Sequence, residues 1–284
     1  MKKTQTIDNE FGIEKHIIIC NWSEKADLLI SELHDPSLDK KRPIIIITEN
    51  PQAIPDFDEN EKYRGIMIVK GNPSHEEALK RAGVVSASTV IILADRELGD
   101  VADTKTIMTA IAIDHINPSI HVVAEVLQSL NVPYFSYTHV DEIICLELLT
   151  ERLLAQSCLT PGISFIFSDL LTQSKDTNEI YVEDIPSKYI GQTFLKLKQA
   201  IVSLPEEDII LIGIGGTIPA LNDAGDPILN NHGQPYVDKY LSINPKSSQN
   251  SNGSKYNKDY IMKEGDKVYV IAYTKPDLND LLKD

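Results

Sequence analysis

The chain has 284 residues, of which 42% are hydrophobic, so it can form one large or two ordinary globular domains. The formal net charge of −15 at pH 7 argues against a nucleic-acid partner, because neutralising phosphates requires clustered Lys and Arg. No apolar run approaches the roughly 20 residues of a membrane-spanning helix. The cysteines Cys20, Cys145 and Cys158 are far apart and odd in number, which favours buried thiols over a disulfide framework.

After a polar lead-in segment, residues 1–14, strand-like and helix-like stretches alternate up to residue 145. Their regular alternation predicts an α/β fold, a Rossmann-like parallel sheet with right-handed crossovers and helices on both faces. The strand-like segments are His16–Cys20, Pro43–Thr48, Gly65–Val69, Thr89–Ala94, Ile120–Glu125 and Glu142–Cys145. Helical patterns cover Glu24–Leu33, the stretch that begins at Ser74, and Thr104–His115.

Polar and acidic residues recur where the predicted strands end. In an open parallel sheet, ligands bind at the carboxyl ends of the strands, so we expect these residues to converge on one site. They are Asn21, Ser23, Glu49, Gly71, Asn72, Asp95 and Glu125.

The rest of the chain has a different pattern. Residues 146–174 contain two apolar helical stretches, Leu146–Ser157 and Ile163–Leu171, separated by Pro161-Gly162, which predicts a hinge or an intersubunit crossover. Residues 175–284 predict a small α+β lobe of short strands. Within this lobe, residues 217–258 are rich in Asn, Ser, Gly and Pro and predict a flexible loop.

The order of several short motifs resembles the RCK domains, the regulators of conductance of K⁺ that form gating rings of potassium channels. In the first part they are His16–Ser23, Gly71–Pro73, Leu79–Val84 and Val122–Glu125. Residues 183–186, 191–193, 211–214, 243–245 and 260–272 are similar to the small C-terminal lobe of that family. The stretch Leu153–Gly162 is similar to the crossover of plant nuclear-envelope cation channels.

The resemblance implies a regulatory domain without enzymatic activity, at the cytoplasmic face of a membrane and attached to or associated with a channel pore domain. It also implies self-association, as a dimer that assembles into a tetrameric or octameric ring. A soluble nucleotide-binding regulator of a potassium-uptake transporter is the alternative within the same fold. An NAD-dependent oxidoreductase is a third hypothesis, but no acid–base motif accompanies the βα repeats.

An adenine nucleotide (NAD, AMP, ADP or ATP) is one expected ligand. In the frame of the dinucleotide fingerprint G-x-G-x-x-G, this chain has Asn21-Trp22-Ser23-Glu24-Lys25-Ala26. The expected contacts are Asn21, Trp22 and Ser23 at the first turn, Glu49 for ribose hydroxyls, and Asn72, where many family members have an acid.

Calcium is the other expected ligand, and the two stay open at this point. By the resemblance, Asp95 and Glu125 match the acids that calcium-gated members have after the fourth and fifth strands. A further acid expected two residues on is Leu127 here. Calcium requires several converging oxygens, so other acids of the neighbouring loop are candidates for the missing ligands. They are Glu97, Asp100 and Asp103.

Overall fold

The structure is a computed structural model, which describes residues 12–34, 42–55, 63, 65–172, 177–204, 208–222, 224–229, 233, 235, 237–245 and 260–283. Residues 1–11 of the predicted lead-in segment and much of the predicted loop, including 246–258, lie outside the described residues. The chain divides into two compact units, Met1–Ile163 and Ser164–Asp284.

The first unit contains a six-stranded parallel sheet in the order β3-β2-β1-β4-β5-β6, which confirms the predicted Rossmann-like fold. Its β-branched strands are buried on both faces, as expected when helices cover a parallel sheet. The strands are β1 Ile17–Cys20, β2 Ile44–Thr48, β3 Ile66–Lys70, β4 Thr89–Ile92, β5 His121–Val126 and β6 Glu142–Cys145.

Each face of this sheet has its own apolar core. Ala26 and Ile30 of helix α1 pack on one face, while Leu79 and Ile113, from α2 and α3, pack on the other. The helices are α1 Glu24–Leu33, α2 Glu76–Arg81, α3 Ala102–Ile116 and α4 Leu146–Leu159, and short 3₁₀ turns cover Pro51–Ala53, Arg96–Val101 and Ser129–Tyr137.

Two helix starts differ from the predicted ones. Helix α2 begins after His75 rather than at Ser74. Helix α3 begins two residues before the predicted Thr104, so Asp103 lies inside its first turn.

Between β4 and α3, the structure has a 3₁₀ turn where composition had predicted an acidic loop. The Asp95 carboxylate caps this turn by accepting a hydrogen bond from the Glu97 amide.

The second unit is an antiparallel sheet in the order β7-β10-β8-β9. Phe194, Leu197 and Ile201 of helix α6 and Val268 and Val270 of β10 are buried in its core. The elements are α5 Ile163–Leu171, which begins at the boundary of the two units, β7 Glu179–Asp184, α6 Phe194–Val202, β8 Ile210–Pro219, β9 Val237–Ile243, β10 Lys267–Ala272 and α7 Leu278–Leu281.

Strand β9 lies within the segment that composition predicted to be a flexible loop, residues 217–258. It pairs with β8 over seven residues because glycines of β8 let the two backbones come close. A Cβ atom on Gly215 would lie 2.6 Å from the Tyr240 carbonyl oxygen. The Tyr240 hydroxyl donates a 2.5 Å hydrogen bond to Asp266 Oδ1, which holds β9 to the turn before β10.

Among the described residues, no helix is long and apolar enough to cross a bilayer.

Candidate ligand cleft of the first unit

A polar cleft of about 460 Å³ opens at the carboxyl ends of the strands of the first unit. It lies where β1 separates β2 from β4, the point at which the strand order reverses and where open α/β sheets bind ligands. Seven of the eleven residues predicted from the sequence line it. The full lining is Asn21, Trp22, Ser23, Lys25, Thr48, Glu49, Asn50, Ala53, Ala94, Asp95, Arg96, Glu97 and Glu125.

The turn after β1 adopts a glycine-like backbone without glycine. Asn21 has a left-handed φ of 70°, which short polar side chains tolerate better than most residues. Its side-chain amide donates a 2.8 Å hydrogen bond to the Leu93 carbonyl, and its backbone amide donates one of 2.8 Å to the Ile47 carbonyl. These bonds tie the turn to β2 and to the end of β4.

Ser23 stands before the first turn of α1, at the N-cap position, but its side chain makes no capping bond. Its Oγ atom is buried and has no hydrogen-bond partner within the described part of the chain. A buried hydroxyl is costly to leave unpaired, so this atom is a candidate contact for a bound polar group. Ala26, at the third glycine position of the fingerprint, is fully buried and brings α1 close to the sheet.

Trp22 and Glu49 form the other side of the cleft. Trp22 is partly buried against the α1-side core and also lines the cavity, so packing and the expected ligand contact are compatible. Glu49 follows β2, and its Oε2 accepts a 2.8 Å hydrogen bond from the Lys105 ammonium. The carboxylate is about half exposed and thus remains accessible from the cleft.

Glu125, at the end of β5, is the most buried acid of the cleft, with 9% of its side chain exposed. The Lys25 ammonium donates a hydrogen bond to Glu125 Oε1, and Arg96 Nη2 lies 3.9 Å from the same oxygen. The backbone amide of Ala94 donates a 3.2 Å bond to Oε2. Both carboxylate oxygens are therefore engaged by this chain itself.

Four predicted residues do not line the cleft, and one of them is Gly71, directly after β3. Asn72 Oδ1 accepts bonds from the Ser74 amide (2.9 Å) and hydroxyl (2.7 Å), and so closes a local turn. Asp100 is exposed and accepts only a 3.3 Å bond from Gln128 among the contacts of the described residues. Asp103 is buried, and its carboxylate accepts three bonds, of 2.7–3.0 Å, from donors in the loop after β5. The donors are the amides of Leu127 and Gln128 and the side chain of Asn131.

Sequence reasoning missed the two cations of the cleft. Lys25 was visible as the fifth residue of the fingerprint frame, and Arg96 as the neighbour of Asp95. Neither position has a fixed chemistry in that pattern. Their importance depends on where β1, β4 and β5 end in space rather than on spacing along the chain.

Comparison with known proteins finds a family that resembles most of the first unit. Residues 12–124 match the family described as the calcium-activated potassium channel slowpoke-like RCK domain. This segment is similar to RCK domains. A calcium-gated potassium channel of Thermoplasma volcanium, TvoK, is 28% identical to the chain over 178 residues, which are 61% of this chain and 49% of that protein.

The human SLO3 gating ring resembles the chain in fold beyond the RCK segment. Its structure matches 94% of this chain with a TM-score of 0.61 and 20% sequence identity, over 46% of the length of that chain. The chain thus spans about half the length of the proteins that it matches. At this sequence identity, the similarity to the SLO3 gating ring concerns the fold alone.

The cleft does not fit calcium at the Asp95 and Glu125 positions. Calcium binds 6–8 oxygens, usually including more than one free carboxylate. Here Glu125 is already paired with Lys25, and Asp95 caps the turn that follows it. Among the described residues, no group of three or more His, Cys, Asp or Glu side chains is arranged to hold a metal ion.

The same residues fit an adenine nucleotide better. The unpartnered Ser23 hydroxyl and the amino end of the ten-residue helix α1 favour a phosphate group. Glu49, an acceptor after β2, is where a ribose-binding acid is expected in this fold. Ser23 also departs from the fingerprint. It occupies the position of the second glycine, whose lack of a side chain lets a pyrophosphate approach the backbone.

Proposed function

We propose that this chain is a ligand-sensing regulatory domain of a gating ring, at the cytoplasmic face of a membrane, that controls a potassium or related cation channel. One observation carries the proposal: a polar cleft lies at the topological switch point of a segment that matches the RCK family model. The domain regulates rather than catalyses, in keeping with the regulatory role of that family.

The ligand we propose for the cleft is an adenine nucleotide. Ser23 and the first turn of α1 would contact the phosphate, and Glu49 would accept hydrogen bonds from the ribose hydroxyls. Trp22 would form the apolar wall, and Asn21 would hold the turn in its left-handed conformation. The unpartnered Ser23 hydroxyl supports this assignment, since a bound phosphate would satisfy it.

Binding would act on the pore through assembly. A ligand shifts an equilibrium between two ring states only by the difference of its affinities for them, so the cleft must differ between the states. We propose a second copy of this chain as the first partner, a tetrameric or octameric ring as the final assembly, and the membrane pore domain of the channel as the target.

Helices α4 and α5 support self-association. Neither contains a buried residue, although both are rich in large apolar side chains. Apolar surface of this extent is unusual on a monomer and typical of an interface between proteins. The exposed side chains are Leu146, Leu149, Leu154, Leu159, Phe165, Ile166, Phe167 and Leu171.

Thermal unfolding of the full chain with NAD, AMP, ADP, ATP and Ca²⁺ tests the ligand assignment. A nucleotide at about 100 times its dissociation constant should add about 2.7 kcal/mol to the free energy of unfolding. We expect at least one nucleotide to raise the melting temperature and Ca²⁺ to leave it unchanged. If none of the nucleotides shifts the transition, the cleft is not a nucleotide sensor.

The same cleft also suits a separate nucleotide-binding subunit that regulates a potassium-uptake transporter. The nucleotide-compatible turn at Asn21–Ser23 favours this second candidate as much as the first. The encoding reading frame discriminates between them. A pore segment in the same frame would exclude the separate subunit, whereas a transporter gene beside a frame without a pore would favour it.

A further inference from the structure

Lys25 holds a position in the cleft that the proposed function does not explain. It lies in the first turn of α1. The helix dipole favours acidic residues there, so the positive charge of Lys25 is unfavourable at this position. Its ammonium nevertheless donates to Glu125 Oε1, on a strand 100 residues further along the chain. With 40% of its side chain exposed, Lys25 extends from the surface of the cleft to the buried acid.

The carboxylate of Glu125 needs a positive partner. A buried charge without a partner is strongly unfavourable, and the Ala94 amide bond to Oε2 does not neutralise it. Lys25 donates to the carboxylate directly, while Arg96 is 3.9 Å away and mostly exposed. Lys25 is thus the principal counter-charge of Glu125.

A divalent cation at Glu125 would meet this ammonium. To bind there, the cation would have to displace the Lys25 ammonium, which would then lack a partner. Otherwise the cation and the ammonium, both positive, would lie in contact and repel each other. Asp95 and Glu97 line the same cleft. Where a neutral side chain replaces Lys25, these two carboxylates would have to reorient to join Glu125 around a cation, and Asp95 would give up its bond from the Glu97 amide.

We propose that Lys25 is a covalently tethered cation that takes the place of a divalent ion in this cleft and makes the site selective for ligands other than divalent cations. The inference rests on the proposed role of the cleft as the regulatory site and specifies its ligand class. Lys25 is a specificity-determining residue. Its ammonium is paired with Glu125, so calcium would have to break this ion pair in order to bind.

The test replaces Lys25 with a side chain of similar length and no charge, Lys25→Met. Chelator-treated wild-type and variant chains are titrated with Ca²⁺ and Mg²⁺ by calorimetry and thermal unfolding. We expect no saturable heat and no shift in melting temperature for the wild type. For Lys25→Met we expect a Ca²⁺-dependent rise in melting temperature and at least a tenfold gain in calcium affinity.

Three further variants test whether the calcium response comes from loss of the Lys25–Glu125 pair. Lys80→Met removes a comparable Lys–Glu pair, with Glu76 on the surface of α2, and should gain no calcium response. Lys25→Arg keeps the positive charge and should behave as the wild type. The double variant Lys25→Met/Glu125→Gln should lose the response gained by Lys25→Met.

Wild-type calcium binding that Glu125→Gln abolishes would overturn the proposal, and so would a folded Lys25→Met variant without calcium binding. Should Lys25→Met fail to fold, Lys25→Gln takes its place in the same comparison, and the wild-type and Glu125→Gln titrations still decide. Nucleotide binding is measured separately, so failure of the proposed function leaves this result distinguishable.

Discussion

Single residues fix the backbone beyond two strands of the first unit. Asn21 adopts the left-handed backbone that a tight turn requires, and Asp103 fixes the loop after β5 through three hydrogen bonds. Asp103 was expected to supply an oxygen to calcium. Its carboxylate instead bonds the Leu127 amide, at the position where calcium-gated relatives were expected to have an acid.

Replacing Asp103 with Ala should destabilise the first unit by about 2–4 kcal/mol, because three donors lose the buried carboxylate that accepts their hydrogen bonds. Urea unfolding of the full chain measures this loss. Asp100→Ala is the matched control: Asp100 is exposed, and its change should stay within about 0.5 kcal/mol. Equal effects of the two substitutions would show that the Asp103 bonds contribute nothing specific.

Gly71, directly after β3, leaves no space for a side chain. A Cβ atom there would lie 2.8 Å from the Cβ of Ala78 in α2, so Gly71→Ala forces the helix away from the sheet. We expect a loss of about 1–3 kcal/mol in the free energy of unfolding. Gly12→Ala, where a Cβ meets nothing within 4 Å, is the control and should be nearly neutral. A neutral Gly71→Ala would mean that α2 can shift without cost.

At the scale of elements, predictability depends on the local strength of the pattern. The strands β1 and β2 were predicted to within one residue because their continuous β-branched runs are buried on both faces. Strand β9 was missed because its partner β8 supplies the packing through Gly213 and Gly215 rather than through a local apolar pattern. Long-range pairing leaves no local signal.

The residues of the cleft likewise divide into those with a local sequence signal and those without one. Residues that directly follow strands were found because parallel strands end at one edge of the sheet. The Lys25–Glu125 pair was missed because it depends on β4 lying between β1 and β5, an order that local sequence does not encode.

Helix α5 carries a prediction of its own. Phe165 and Leu171 expose 79% and 78% of their surface, so replacing both with Ser should weaken self-association without unfolding the chain. We expect sedimentation velocity to show a dimer or larger species for the wild type and at least a tenfold weaker association for the variant. Leu28→Ser, an exposed leucine of α1, is the control and should associate normally. A wild-type chain that stays monomeric at high concentration would contradict the proposed assembly.

For the whole molecule, sensing requires that ligand binding in the first unit be linked to assembly. Linkage makes the effect reciprocal: if the ligand favours one ring state, that state binds the ligand more tightly by the same factor. Assembly and nucleotide affinity should therefore depend on each other, which the same sedimentation experiment with and without nucleotide measures.

The tryptophan of the cleft allows the most direct measurement. Trp22 is the single tryptophan of the chain and lines the cavity, so its fluorescence reports on occupancy of this site alone. Titration of the full chain with AMP, ADP, ATP or NAD, corrected against free tryptophan amide for absorption by adenine, should give a saturable change with at least one of them. Glu49→Gln should weaken that affinity. A linear response to all four nucleotides would contradict the claim that this cleft is the regulatory nucleotide site.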